Sequence, residues 1–310
     1  MNPMLPHAAL SITKAASTQT YYTIRFMVDR ERVDDAYRAY GYFRWVDDTL
    51  DADSCSRSER TAFLLRQTEL LDRCYAGDRP RGVTVQEQWL VELVERNPGI
   101  HSGMAVYLHN MMRVMDFDAQ RRGRLISQAE LDEYTHWLAS AVTEAMHYFV
   151  GNGCYAPQDE TRYLAVAAAH ITHMLRDTLD DVQVGYYNIP REALEAGHIR
   201  PQDVHSEAYR AWVKGRVQQA RGYFETGGEY LARVQNWRCR LAGFAYMARF
   251  EWLLGTIERE GYRLRAEYCE RKRPSTGLRM GWHALSSMLS PRGTGTLSGN
   301  RLVADGKARR

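Results

Sequence analysis

Apolar residues recur every three or four positions along most of the chain, which is the period of amphipathic helices. Alternating patterns typical of strands are nearly absent, and the periodic segments are rich in Ala, Leu, Met, Glu and Arg, which favour helices. We therefore expect an all-α fold. The pattern predicts helices over residues 30–52, 57–75, 84–96, 103–118, 128–150, 160–184, 206–234 and 237–262.

Gly and Pro mark the joints between these segments. Long helices joined by short connections favour an antiparallel bundle in one domain, predicted here over residues 17–290. No internal repeat interrupts this domain. We expect a flexible N-terminus at residues 1–16. Gly, Ser, Thr, Arg and Lys dominate residues 291–310, which predicts a basic disordered tail.

The overall composition is typical of a globular protein, with 45% hydrophobic and 25% charged residues. A net charge of +3 is too small to indicate nucleic-acid binding. No apolar run has the length of a signal peptide or of a membrane-spanning helix. The five cysteines form neither a disulfide framework nor a zinc pattern, so we expect a cytoplasmic protein. The basic tail leaves a weak peripheral association with anionic membranes open.

Two aspartate clusters carry the candidate chemistry. Asp47 and Asp51 are four residues apart on one predicted helix, and Asp177 and Asp181 have the same spacing on another. This spacing places two carboxylates on one helix face, where like charges destabilise the helix. One acidic run is usually a solvated helix face. Two matched clusters beside apolar residues indicate that each binds a cation.

Carboxylate oxygens without a nearby Cys or paired His suit Mg²⁺. Asp48 adds a further candidate ligand to the first cluster. Mg²⁺ usually binds one or two carboxylates together with phosphate oxygens, so two facing clusters would hold a diphosphate. Arg44 and Arg176 flank the clusters and could either bind this diphosphate or form ordinary helix ion pairs.

The predicted helices also carry aromatic residues that could surround an apolar cavity. Aromatic faces stabilise carbocations, and an apolar cavity excludes the water that would quench them. Each ring alone is more simply a core residue. The candidates are Tyr37, Tyr40, Trp45, Tyr134, Trp137, Phe149 and Tyr163.

These motifs resemble those of the squalene and phytoene synthase family. Residues 40–51 are similar to the family's first aspartate motif, and residues 174–190 are similar to its second. Residues 17–22 resemble its serine-rich opening, whose hydroxyls contact diphosphate. Glu130, Leu131 and Tyr134 resemble the helix that carries its active-site tyrosine, and residues 244–265 its late-helix pattern. The resemblance covers residues from about 17 to about 289.

The resemblance implies an isoprenoid synthase fold around a central cavity. It also implies Mg²⁺ and head-to-head condensation of two identical prenyl diphosphates, of C15 or C20 length, through a cyclopropyl intermediate. NADPH use stays open, because no dinucleotide fingerprint appears. The implied metal ligands are Asp47, Asp48, Asp51, Asp177 and Asp181, with Tyr134 as a further catalytic residue. The candidate diphosphate contacts are Thr18, Thr20, Arg44, Arg176 and His173.

The chain departs from the family pattern mainly at the second cluster. His173 stands where the family has Asn, Tyr186 where it has Arg, and Asn188 where it has Tyr. Ser140 replaces a Gly, and Phe250 and Glu267 align with Tyr and Arg of some members. His173 shares a helix face with the second cluster. It could be a core histidine or a metal ligand, but we favour a diphosphate contact.

Two other functions stay open at this point. A synthase of the same fold could ionise one allylic diphosphate and then cyclise or quench it. A non-catalytic prenyl-diphosphate-binding or assembly protein could retain the fold without turnover. The sequence leaves prenyl chain length and oligomeric state open.

Overall fold

The computed structural model describes residues 4–52 and 56–268. These residues form eleven α-helices and no strand, so the predicted all-α fold is confirmed. The predicted basic tail and the end of the predicted domain lie outside the described residues. The helices are α1 (Met4–Ala16), α2 (Thr18–Met27), α3 (Val33–Leu50), α4 (Arg57–Tyr75), α5 (Val85–Arg96), α6 (Gly103–Arg121), α7 (Gln128–Phe149), α8 (Leu164–Val184), α9 (Arg191–Gly197), α10 (Glu207–Arg233) and α11 (Trp237–Arg259).

Local sequence signals explain where several of these helices begin. Capping boxes start α4, α5 and α7, in which a Ser or Thr side chain accepts from the backbone of a Glu three residues later. All eight predicted helices are present. Helix α3 starts at Val33 after a short 3₁₀ helix at Arg30–Arg32, and α8 starts at Leu164 after a turn.

The N-terminal segment differs from the prediction. Residues 4–16, expected to be flexible, form α1, which packs against α3. Ala9 and Thr13 of α1 are fully buried. Ala9 lies against Gly41 of α3, where a Cβ would be 3.4 Å from Ala9, an ordinary van der Waals contact. Burial of this helix face supplies the stabilisation that the short segment lacks on its own.

Helix α8 lies at the centre of the bundle and contacts α7, α10 and α11. Gly227 of α10 allows the closest approach, because a Cβ at this position would lie 2.5 Å from the backbone nitrogen of Ala165. At its other end α8 terminates at Gly185, whose φ of 89° is left-handed and favours glycine. Buried residues of both aspartate-bearing helices, α3 and α8, belong to one hydrophobic core. None of the described helices is long and apolar enough to cross a membrane.

Candidate active site

Both aspartate clusters line one cavity of about 430 Å³. Helices α3, α6, α7 and α8 supply its walls, together with the turn that follows α8. Five carboxylates and one arginine face this space, so the cavity is strongly acidic. The lining residues are Asp47, Asp51, Asp118, Arg121, Tyr134, His170, His173, Met174, Asp177, Asp181, Tyr186 and Asn188.

The first cluster comes from the last turn of α3. Burial and the nearby Asp51 carboxylate raise the pKa of Asp47 to about 6, although the Arg44 guanidinium acts in the opposite direction. Arg44 donates to Asp47 over 3.1 Å and also bonds Asp48. Asp48 does not line the cavity, and its side chain is 54% exposed. The structure therefore brings Asp47 and Asp51, but not Asp48, to the cavity.

The second cluster comes from the last two turns of α8. Burial raises the pKa of Asp181 to about 6, with a further rise from Asp177, while a bond from Asn188 lowers it. The Asn188 amide donates to Asp181 over 2.7 Å. Arg176 donates to Asp177 over 2.6 Å. Like charges held together in both clusters raise the cost of ionisation until a cation binds.

His173 lies at the rim of the cavity rather than in the core. Its side chain is 47% exposed, and Nε2 lies 3.4 Å from the Asp177 carboxylate. Arg176 bonds the same ring nitrogen. The ring meets Phe250 of α11 edge to face, with 6.4 Å between their centres. The core interpretation of His173 is wrong, and its position beside Asp177 is compatible with a contact to an anion bound there.

Asp118 and Arg121 of α6 line the cavity, although the sequence did not predict them as site residues. Arg121 is 6% exposed and donates to Asp118 over 2.6 Å and to Asn188 over 2.9 Å. A pair three residues apart on a helix is an ordinary surface ion pair in most proteins, so the sequence offered no distinguishing signal. Here Asn188 connects Arg121 to Asp181, which ties α6 to the second cluster.

Tyr134 of α7 lies on the cavity wall, as the family resemblance implied. Its hydroxyl donates to Asp118 over 2.8 Å. Burial and the Asp118 charge raise its pKa well above the usual range, so the hydroxyl stays protonated. Tyr134 can therefore donate a hydrogen bond but is a poor base. The Arg121 guanidinium lies 5.1 Å from its ring centre.

The predicted diphosphate contacts from α2 lie farther from the cavity. Thr18 is exposed and does not line it. Thr20 bonds the hydroxyl of Ser17, and both hydroxyls also meet the Tyr40 hydroxyl, which lies near Arg44. Thr20 therefore approaches the first cluster only through Tyr40.

Arg249 of α11 is a second cation near the site that the sequence did not predict. It donates to Gln19 of α2 over 2.6 Å. Burial lowers its pKa, and it interacts electrostatically with Arg176 and Asp177. Arg249 thus adds positive charge within electrostatic range of the second cluster. In the sequence, nothing about the position of Arg249 distinguishes it from the other polar residues of α11.

Of the seven aromatic candidates, Tyr134 alone lines this cavity among the described residues. Trp45 packs against Phe63 of α4. Tyr163 lines a second cavity of about 470 Å³ between α7, α8 and α10, whose wall also includes the buried Arg216. The sequence predicted the helices that carry these rings but not the direction in which each ring points.

No cluster of three or more His, Cys, Asp or Glu side chains within residues 4–52 and 56–268 is arranged to hold a metal ion. The cavity instead has one carboxylate pair on each of two walls, Asp47 with Asp51 and Asp177 with Asp181. This donor set fits Mg²⁺, which binds through one or two carboxylates and completes its coordination with water and phosphate oxygens.

Comparison with known proteins connects this geometry to a family. Residues 13–279 match the family model described as squalene/phytoene synthase. A 15-cis-phytoene synthase from Synechocystis sp. is 30% identical over 157 residues, which are 46% of this chain and 46% of that protein. A presqualene diphosphate synthase from Zymomonas mobilis is 30% identical over 196 residues, or 63% of each chain. The chain thus spans less than two thirds of either relative.

A solved structure shares the fold. The crystal structure of a squalene synthase from Alicyclobacillus acidocaldarius superposes with a TM-score of 0.67 at 20% identity. The superposition covers 84% of this chain and 96% of the other. At this identity the similarity establishes the helical architecture only.

Proposed function

Since the chain belongs to the squalene/phytoene synthase family, we propose that it condenses two prenyl diphosphates head-to-head and releases diphosphate. The observation that carries this proposal is the single cavity into which α3 and α8 each present a pair of carboxylates. Allylic diphosphates of C15 or C20 length are the proposed substrates. Reduced Cys74, Cys154 and Cys239 suit a cytoplasmic location.

The proposed metal ligands are Asp47 and Asp51 on one wall and Asp177 and Asp181 on the other. Bound Mg²⁺ would supply positive charge that neutralises the leaving diphosphate. Arg44, Arg176, His173 and Arg249 lie around the two clusters and can donate to phosphate oxygens.

We place the steps that follow ionisation in the inner part of the cavity. Tyr134 offers an aromatic face on α7, and Met174 adds apolar surface from α8. Such a wall stabilises an allylic cation and keeps water from it. The double bond of the second substrate can then attack the cation, which joins the two prenyl chains.

A reaction that stops at the cyclopropyl diphosphate is a second candidate. Tyr186 and Asn188 replace an Arg and a Tyr of the family pattern, and Asn188 is engaged with Asp181 and Arg121. A relative that is aligned over 63% of its length bears the name presqualene diphosphate synthase. Loss of the second ionisation would leave this intermediate as the product.

The experiment is incubation with C10, C15 and C20 diphosphates and Mg²⁺, with and without NADPH, followed by mass spectrometry and a diphosphate-release assay. We expect a product with two prenyl chains, and no turnover in the presence of a chelator. A product that retains diphosphate would identify the second candidate. Only cyclised or quenched single chains would contradict head-to-head condensation.

Matched variants test the two walls. Asp47→Asn and Asp177→Asn should each abolish diphosphate release while the helical circular dichroism spectrum is preserved. Asp132→Asn, on the exposed face of α7, is the control and should retain the wild-type rate. Full turnover by either cluster variant would contradict the proposed metal ligands.

A further inference from the structure

His170 of α8 is a buried imidazole without a hydrogen-bond partner. Its side chain lines the cavity, and the residue is 5% exposed. Neither ring nitrogen has a partner among the described residues. Unsatisfied buried nitrogens are costly and usually indicate a missing ligand, water or chemical role. The Tyr134 ring, 4.9 Å away between centres, meets the imidazole edge to face.

The position of His170 along α8 places it deeper than the second aspartate cluster. It precedes Asp177 by seven residues, which corresponds to about 10 Å along a helix axis. A diphosphate bound between the clusters would have its phosphorus atoms near Asp177 and its hydrocarbon farther inside. His170 therefore faces the reacting carbon atoms rather than the leaving group.

The surroundings of His170 keep the imidazole neutral. Burial, followed by the nearby His173, Arg121 and Arg216, lowers its pKa well below the usual range. His173, Arg121 and Arg216 belong to α8, α6 and α10, and Tyr134 faces the imidazole from α7 with its hydroxyl already bonded to Asp118. One ring nitrogen of a neutral imidazole carries a free lone pair.

Resting on the function proposed above, we propose that His170 is the base that accepts the proton released when the two prenyl chains are joined. Attack of the second substrate's double bond forms one carbon–carbon bond to the allylic carbon and leaves a tertiary cation. Closure of the cyclopropane breaks a C–H bond at that allylic carbon. The C–H electron pair forms the second ring bond, and the proton transfers to the imidazole.

The other groups on the cavity wall are less suited to this step. Tyr134 is protonated, and Arg121 cannot accept a proton. His173 already bonds Arg176 and lies beside Asp177, at the diphosphate end. The resulting imidazolium transfers its proton to the released diphosphate or to solvent before the next turnover.

The test separates ionisation from coupling. His170→Gln and His170→Met fill a similar volume without a base. We expect each to release diphosphate within about threefold of the wild-type rate, whereas the ratio of coupled product to prenyl alcohol falls by at least about tenfold. In the wild-type protein this ratio should stay constant between pH 6 and 9, because the imidazole is already neutral.

His136→Gln, on an exposed position of α7 outside the catalytic cavity, is the matched control and should keep the wild-type ratio. An unchanged ratio in a folded His170 variant would overturn the inference alone. A wild-type protein that releases diphosphate but forms no coupled product would refute the proposed function and the inference with it. Circular dichroism and thermal unfolding establish that each variant is folded.

Discussion

Arg121 holds a positive charge among the carboxylates of the cavity. It bonds Asp118 and Asn188, and its guanidinium lies 5.0 Å from the ring centre of Tyr186. Tyr186 stands where the family pattern has an arginine. The guanidinium therefore reaches the neighbourhood of this position from α6 instead of from the turn after α8. We infer that Arg121 provides the charge that the substitution at position 186 removes.

Replacement of Arg121 by glutamine tests this role. Arg121→Gln leaves Asp118 without its ion pair and removes the guanidinium nearest to Asn188 and Asp181. We expect diphosphate release to fall by about 100-fold, comparable to the loss of one preorganised donor in other active sites. Arg113→Gln, on an exposed position of the same helix, should leave the rate unchanged. Equal rates in the two variants would show that Arg121 is structural only.

Residue spacing predicts part of the cavity and leaves part of it hidden. The repeated four-residue spacing of aspartates predicts that Asp47, Asp51, Asp177 and Asp181 share helix faces, and the fold brings these faces together. The roles of the other cavity residues depend on their burial, which the sequence does not show. His170 follows the apolar first turns of α8, and sequence alone does not distinguish an unpartnered imidazole from one bonded to a carbonyl.

Among the helices, α8 depends most on a close contact. The backbones of α8 and α10 approach at Gly227, where a methyl group would lie 2.5 Å from the nitrogen of Ala165. Ala165 lies within two turns of His170, on the same helix. The position of the inner cavity wall is thus coupled to the absence of a side chain on α10.

Two alanine substitutions on α10 test this contact. Gly227→Ala should decrease the free energy of unfolding by about 1–3 kcal/mol, because the added methyl group overpacks the interface. Gly222→Ala meets no atom within 4 Å and should increase it by up to about 1 kcal/mol, as alanine favours helix. Urea denaturation measures both. Equal stabilisation in the two variants would show that α8 can move away without cost.

Helical periodicity predicts the long elements well and the short ones poorly. Eight long helices were predicted, with ends that differ from the structure by a few residues. Helices α1, α2 and α9 were not predicted, because tertiary contacts that leave little trace in local sequence stabilise them. Length is not the reason for α1, whose 13 residues exceed the 12 of the predicted α5. In α1 this contact is the burial of Ala9 against α3.

Across the whole molecule, buried ionisable groups have opposing effects on stability as pH falls. The pKa values of Asp47 and Asp181 are raised to about 6, so their charged forms destabilise the folded state above that pH. Protonation between pH 6 and about 3.8 removes this penalty. His147 acts oppositely: burial lowers its pKa to about 4, so the unfolded chain gains a proton first, between pH 6.5 and 4. Its Nε2 lies 2.8 Å from the Tyr230 hydroxyl, a hydrogen bond that a neutral ring can form.

The double variant Asp47→Asn/Asp181→Asn separates these contributions. With a chelator present, it should be more stable than the wild-type protein at pH 8, because two unfavourable charges are absent from the cavity wall. Solvent screening limits the gain to about 1–2 kcal/mol, since the Asp47 side chain is 42% exposed. The difference should shrink as pH falls through 6 and vanish near pH 3, where the wild-type carboxylates are protonated in both the folded and the unfolded state. Urea denaturation at pH 8, 6 and 3 measures this convergence. Addition of Mg²⁺ at pH 8 should stabilise the wild-type protein but not the double variant, because cation binding offsets the same repulsion. A wild-type protein that is the more stable of the two at pH 8 without Mg²⁺ would show that the carboxylates are already compensated within the fold.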